Sequence, residues 1–264
     1  MKLCMMSFML GLIPPEEVIQ ATVDCGLDAV DWITMHGSDP VTLKKMCSDA
    51  GIHIAAYTVL KNKFIDGEAD YMDELRASLD ETAEMGAPVL MIPPFAHKNV
   101  SMQESRKLWQ EYYVKAMELA AGYPFELTLE STGMPDSPIT TGSECRTILD
   151  AAPGLKVTFD VGNIVTAGDM FEAYELQKDE IVHFHLKDWK ISDTPIPGGE
   201  LKRCGKYFAD AMIGTGDVDL KKFWSVVDPA LKEKCFVNIE SIDFTGTLSR
   251  KNSIKEIVEN LKDW

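Results

Sequence analysis

The chain has 264 residues, of which 45% are hydrophobic and 26% charged, enough apolar material for a large core and too much for a disordered segment. Its 42 acidic and 26 basic residues give a net charge of −16, which disfavours a nucleic-acid partner because its phosphates would be repelled. The six cysteines (Cys4, Cys25, Cys47, Cys145, Cys204 and Cys235) form no CxxC pair and no zinc-finger spacing, so they read as small core hydrophobes in a reduced, cytoplasmic compartment.

Lys2 precedes the apolar run LCMMSFMLGLI, a combination that a secretory signal would share. Pro14, Pro15, Glu16 and Glu17 follow instead of a small-residue cleavage site, so the run reads as a first strand leading into a helix begun by proline. No apolar stretch is long enough to cross a membrane. Short apolar strands then alternate with amphipathic helices to the end of the chain. The strands are expected at 3–9, 28–33, 52–58, 88–92, 125–130, 156–161, 181–187 and 236–241. The helices are expected at 16–25, 41–50, 69–85, 104–121, 143–151, 170–178, 220–232 and 251–264. Gly26, Gly51, Gly86 and Gly122 each stand where a helix must end before the next strand. Strict alternation of this kind implies an α/β chain with a parallel sheet, and closure into a (β/α)8 TIM barrel over residues 1–264, as a single domain, is the simplest solution. A doubly wound open sheet would be expected to carry a Gly-rich dinucleotide fingerprint after its first strand, and there is none. The longest irregular stretch, 189–213, falls after the seventh strand on the catalytic face and reads as a lid.

Four consecutive strands end in a residue that can bind a metal: FELTLE in Glu130, KVTFD in Asp160, IVHFH in His185 and CFVNIE in Glu240. In a parallel barrel these ends meet at one face, and two glutamates, an aspartate and one imidazole suit a single divalent cation bound mainly by oxygen. The first, third and fourth strands end without a carboxylate, which leaves that half of the mouth for substrate. Strand alternation places Thr128 below Glu130, Thr158 below Asp160, His183 below His185 and Asn238 below Glu240, a polar layer able to orient the ligands. His183 reads equally as a satisfied core histidine. Lys187, one layer above His185, reads as a cation facing substrate oxygens, or else as the partner of Asp188 or a neighbouring carboxylate. Gly214–Thr215–Gly216 could cradle an anion, but Asp217 and Asp219 follow at once, and helix capping by aspartate explains the stretch more simply. Arg203, Lys202 and Lys206 are the remaining candidates for an anionic group. Tyr57, Phe64, Phe95, His97, Trp109 and Trp189 are aromatic candidates for the pocket lining, although core packing accounts for most such residues.

LES at Glu130, TFDVGN with Asp160 and Asn163, VHFHLKDW with His185, Lys187 and Asp188, GTGDVD at 214–219 and NIES with Glu240 resemble the xylose isomerase-like barrel superfamily, the sugar phosphate isomerase/epimerase group. The resemblance implies one bound Mn²⁺, Mg²⁺, Co²⁺ or Zn²⁺ held by Glu130, Asp160, His185 and Glu240. It also implies a small carbohydrate substrate, a ketose or ketose-like compound, isomerised or epimerised beside its carbonyl through a metal-stabilised enediolate. Glu130 and Glu240 would move the proton, with Asn163, Lys187, His183, Tyr57 and Arg203 as candidate substrate contacts. Related members are lyases, which dehydrate keto-inositols or cleave C-glycosides, and some pair into homo-oligomers through exposed barrel faces. Two positions depart from the family pattern. Asn163 stands where many members have histidine and cannot carry a proton. Asp31, followed by Trp32, stands near the position of a glutamate at the end of the second strand.

Overall fold

The computed structural model describes residues 1–60 and 63–264. Eight parallel strands close a barrel: β1 (Lys2–Met6), β2 (Ala29–Ile33), β3 (His53–Thr58), β4 (Val89–Met91), β5 (Glu126–Glu130), β6 (Lys156–Asp160), β7 (Ile181–Leu186) and, after three short strands outside the barrel, β11 (Phe236–Ile239). Each pairs with its neighbour in sequence, and β11 pairs with both β7 and β1 to complete the ring. The ladder runs Asp160↔His185 between β6 and β7, and Asn238↔His185 between β7 and β11. Asp160 and His185 therefore sit at the same height on the mouth, while Glu130 pairs with Thr158 and Glu240 follows Asn238 by two residues, on the same side of its strand.

The outer ring comprises α1 (Pro15–Asp24), α2 (Pro40–Ala50), α3 (Lys63–Asp66), α4 (Tyr71–Met85), α5 (Met102–Ala120), α6 (Gly142–Ala151), α7 (Val161–Ile164), α8 (Met170–Gln177), α9 (Leu220–Val226), α10 (Pro229–Lys234) and α11 (Arg250–Leu261). Helices α2 and α4 end at Gly51 and Gly86, with φ of 72° and 73°, a left-handed turn that a side chain would strain. None of the described helices is long and apolar enough to cross a membrane. The apolar core lies between this ring and the barrel wall, where Trp32, Leu43, Leu79, Phe159, Phe184 and Phe223 are completely or almost completely buried.

Three expectations change. The first strand stops at Met6, and Ser7–Leu10 turn into a short 3-10 helix, because the Ser7 hydroxyl is tied into the end of β2, where it accepts from the Ile33 N–H at 3.0 Å. The helix expected over 220–232 breaks in two, because Pro229 starts a new helix and Asp228 caps it by accepting from the Ala230 N–H. The stretch 189–213 is not irregular. It holds most of a three-stranded antiparallel sheet of β8 (Asp188–Ser192), β9 (Glu200–Leu201) and β10 (Tyr207–Ala211), in the order β8-β10-β9.

This small sheet is pinned over the barrel mouth at several points. The Asp188 carboxylate accepts from the N–H groups of Trp189, Gly214, Gly216 and Val218 at 2.8–3.2 Å. Gly216 is required there, since a Cβ would lie 2.0 Å from the Asp188 Oδ1. The Trp189 indole donates to the Gly162 carbonyl at 2.8 Å. Arg203 forks onto Glu144 of α6 at 2.6 and 3.0 Å, a bidentate geometry that fixes orientation as well as distance.

Candidate metal centre and pocket

Glu130, Asp160, His185 and Glu240 converge at the mouth, each offering one ligand atom within 4.8 Å of the others. Asp160 reaches this point because one of its oxygens is already committed. Its Oδ1 accepts from the Asn163 N–H at 2.9 Å and so starts α7, which leaves Oδ2 facing the cluster. The imidazole of His185 is fixed from beneath, where Asp31 Oδ2 accepts from its Nε2 at 3.0 Å and from His183 Nε2 at 3.1 Å. An ionised carboxylate only accepts, so Nε2 of His185 carries a proton, and Nδ1 is the atom turned to Glu130 and Glu240. Asn238 and Thr58 also donate to Asp31, at 3.3 and 3.0 Å, and every polar member of this lower layer is satisfied.

The upper layer is not. Glu130 Oε1, Asp160 Oδ2, His185 Nδ1 and Glu240 Oε2 are all buried without a hydrogen-bond partner. His185 Nδ1 lies 2.7 Å from Glu130 Oε1 and 3.3 Å from Glu240 Oε2, yet neither contact has hydrogen-bond alignment. Four orphaned donor atoms around one point would be costly in a finished protein. A divalent cation with oxygen and imidazole ligands at its usual bond lengths would satisfy all four together. The residues therefore fit a metal.

The electrostatics follow from the crowding. Burial raises the Asp160 carboxyl to about 8, with Lys187 pulling against the shift and Glu240 and Glu130 reinforcing it. Burial also raises Glu130. Burial opposes ionisation of Glu240 as well, but Lys187 and His185 outweigh it and lower that carboxyl to about 2. For His185, burial disfavours the cation, while Glu130 and Asp31 override it and push the imidazole well above its ordinary range. In Asp31 the two imidazoles overcome burial and hold the carboxyl well below the usual range.

Lys187 lies over the cluster, with Nζ 2.6 Å from Glu240 Oε1 and 3.8 Å from Asp160 Oδ2. It also donates to the Asn163 Oδ1 at 3.4 Å. Its partner is thus Glu240 and not Asp188, which is turned away to anchor the loop. Asn163 is held by donating its amide to the Ser131 carbonyl at 3.0 Å. A cavity of about 360 Å³ opens above these groups, lined by Glu130, Glu240, Lys187, Asn163, Lys202 and Asp210 on its polar side. Of the four cluster residues, the two glutamates line this cavity, while Asp160 and His185 lie beneath it with no exposed surface.

The other residues singled out in the sequence lie elsewhere. His183 is in the lower layer, bonded to Asp31 and out of the cavity. Tyr57 faces the helices, its hydroxyl donating to Glu81 of α4 at 3.2 Å. Arg203 is taken up by Glu144 and the Ser137 carbonyl. Phe95 and Trp189 do line the cavity, whereas Phe64, His97 and Trp109 pack together with Tyr112 in an aromatic cluster. The glycine turn at 214–216 offers no anion cradle, since its Gly214 and Gly216 N–H groups are donated to Asp188. Asp219 caps α9, as expected of it. Asp31 is the residue whose place the sequence hid. Instead of contacting substrate it lies beneath the His185 imidazole, where a register shift at Val30–Asp31 against β3 locally resets the strand.

A search against curated proteins returned no match. Among solved structures, the IOLI protein with a binding zinc atom is 17% identical at a TM-score of 0.75, and the match covers 100% of this chain and 96% of that one. The probable 3-DHS dehydratase AsbF from Bacillus anthracis is 17% identical, with a TM-score of 0.74 and 99% of both chains covered. An L-ribulose 3-epimerase is 14% identical, with a TM-score of 0.75 and 98% and 93% covered. The chain spans 42% of the length of another match, a xylose isomerase-like TIM barrel/4-hydroxyphenylpyruvate dioxygenase fusion protein. At these identities the likeness establishes the fold alone. The family model, by contrast, matches residues 19–264 in sequence, and the chain belongs to the xylose isomerase-like TIM barrel family.

Proposed function

We propose that the protein is a divalent-metal-dependent isomerase or epimerase of ketose-like compounds, acting by proton transfer at the carbon beside a carbonyl. One observation carries this reading. Four buried donor atoms without partners converge under a cavity, and the two glutamates among their owners also line that cavity.

Glu130, Asp160, His185 and Glu240 would hold a Mn²⁺, Mg²⁺, Co²⁺ or Zn²⁺ ion, which when bound supplies Lewis-acid stabilisation of the charge that develops on substrate oxygen. The remaining work falls to the chain. Glu130 takes the proton, because its carboxylate has no lysine partner among the described residues and burial keeps its basicity up. On the other side Glu240, ion-paired to the Lys187 ammonium 2.6 Å from its Oε1, passes the substrate a proton drawn from Lys187, while the proton taken by Glu130 leaves to solvent. Delivery to the same carbon gives epimerisation, and delivery to the neighbouring carbon gives aldose–ketose isomerisation. Lys187 and Asn163 orient substrate oxygens over the pair. His183 acts through Asp31 on His185 and touches no substrate, and Tyr57 and Arg203 have no part in the pocket. Trp189 and the small antiparallel sheet exclude water from the proton in transit.

The test is solvent deuterium exchange into a panel of ketoses with Mn²⁺ added, alongside metal analysis and product identification. Metal-dependent exchange at the carbon beside the carbonyl is expected. Loss of water or release of an aglycone would assign a lyase on the same scaffold. Metal and ligand binding with no exchange would mean that the site binds sugars without turning them over.

A further inference from the structure

The cavity has two unlike walls. The polar groups come mostly from the ends of β5, β7 and β11, from α7 and from the small sheet, whereas the strand ends of β1 to β4 contribute Met6, Ile33, Met91 and Pro93, with Thr58 their one polar residue. Its rim adds Phe8, Leu60, Met134 and Phe244, all at least 40% exposed. Phe8 and Phe244 are the only large exposed aromatic residues among those described, and both stand at this one opening. Isolated exposed apolar residues are ordinary, but a contiguous set around a concave site marks what binds there.

The polar side chains of the lining offer little to a polyol. The Thr58 hydroxyl donates to Asp31 and the Thr132 hydroxyl to the Pro94 carbonyl, and the Asn163 amide keeps one N–H after donating to the Ser131 carbonyl. Lys202 is bonded to Glu200. What remains free clusters around Glu130, Glu240, Lys187, Asn163 and Asp210, enough for one carbonyl and an adjacent hydroxyl. A chain of further hydroxyls would lie along methionine and phenylalanine, and each would lose its water without finding a partner.

We infer that the natural substrate is amphiphilic, a hydroxycarbonyl compound whose polar end reaches the glutamate pair while an apolar alkyl or aryl substituent lies against Phe8, Met91, Met134 and Phe244. This deepens the proton-transfer reading and rests on it for the orientation of the polar end. An unsubstituted, fully hydroxylated ketohexose is then a poor ligand.

Equilibrium binding to the Mn²⁺-loaded protein tests it, with a series of hydroxyketones HOCH₂–CO–R, R running from methyl to pentyl, compared with a free ketohexose. Affinity is expected to rise about two- to fourfold for each added methylene that enters the apolar wall, and the pentyl compound should bind more tightly than the ketohexose. The double variant Phe8→Ser/Phe244→Ser should flatten that slope, and Met134→Ser alone should reduce it. Both changes fall on exposed side chains, and circular dichroism checks the fold. A flat series, tighter binding of the ketohexose, or a slope unchanged in both variants would overturn the inference. So would failure of every compound to bind in a protein that sediments as a dimer with these residues covered. Deuterium exchange, measured separately, keeps the two ideas apart: a clear slope without exchange would strike the proton-transfer chemistry and leave the amphiphilic pocket standing.

Discussion

The two nitrogens of the His185 ring meet opposite environments. Below it, Asp31 gathers hydrogen bonds from His183, His185, Asn238 and Thr58, and none of the side chains of Asp31, His183, Asn238 and Thr58 has a buried polar atom without a partner. Above it, four donor atoms crowd together with no partner among them. A satisfied buried network rigidifies the fold, while an unsatisfied one is retained only for what it binds. The contrast separates residues that serve stability from residues that serve a ligand, and each prediction below tests that division.

The largest effects belong to the upper layer. Glu130→Gln and Glu240→Gln are each expected to lower deuterium exchange by about 10³-fold, the size of a lost general acid or base. Without metal, Glu130→Gln should be no less stable, because burial opposes ionisation of that carboxyl, whereas Glu240→Gln should be less stable, because it removes the carboxylate that Lys187 and His185 hold ionised. Exchange assays and thermal melts in EDTA measure the two quantities. Near-normal turnover with metal bound in both variants would remove the glutamates from the mechanism.

The lower layer should respond the other way. Asp31→Ala is expected to cost about 3–5 kcal/mol of stability even without metal, since it strands two buried imidazoles and an amide. Asp31→Asn keeps most of the hydrogen bonds but weakens the hold on the His185 proton, so the fold should survive with metal affinity down roughly 10- to 100-fold. Denaturant titration of the metal-free variants, followed by metal titration, reads both. If Asp31→Ala proved as stable as the parent protein, the lower layer would not be structural.

Protons and metal compete for the upper layer, and the sign of that competition is fixed. The Asp160 carboxyl, raised to about 8 by burial, holds a proton at neutral pH that a cation must displace, and the elevated His185 holds another. Metal affinity should therefore rise with pH, by about tenfold per unit for each proton released, with the Asp160 share of the rise levelling off above about 8. For the metal-free fold the Asp160 contribution runs in reverse. A carboxyl with a raised folded-state pKa stabilises fully below its unfolded value and loses that contribution as pH rises through about 8. The gap in Tm between loaded and metal-free protein should widen as pH rises towards 8. Calorimetry in buffers of different ionisation enthalpy counts the protons, and an affinity indifferent to pH would mean that the layer is already ionised.

Much of this was legible in the sequence, for a physical reason. Barrel strands have a period of two and end at a common face, so the positions of Glu130, Asp160, His185 and Glu240 define one point without any knowledge of the turns between them. The lower layer resisted because Asp31 lies 154 positions from His185 and belongs to a strand with a register shift at that residue. Nothing local couples the two. The small sheet was hidden by its own composition, since the Pro and Gly in its long connection obscure strands of only two to five residues. Arg203 was chosen for its charge, but its neighbourhood was not legible: Glu144 lies on a helix 59 positions earlier.

Tyr57 marks the smallest effect and the cleanest test of strand parity. The neighbouring Thr58 points inward to Asp31, so alternation turns Tyr57 outward to Glu81, and an aromatic residue beside the site is not part of it. Tyr57→Phe removes one hydrogen bond to a carboxylate from the helix–barrel boundary, expected to cost about 1 kcal/mol of stability. The packed ring remains in place and neither the glutamates nor the cavity change, so exchange rates and metal affinity should stay within twofold of the parent. A drop of tenfold or more in exchange with stability intact would place the phenol in the reaction path, and would mean that β3 presents its other face to the substrate.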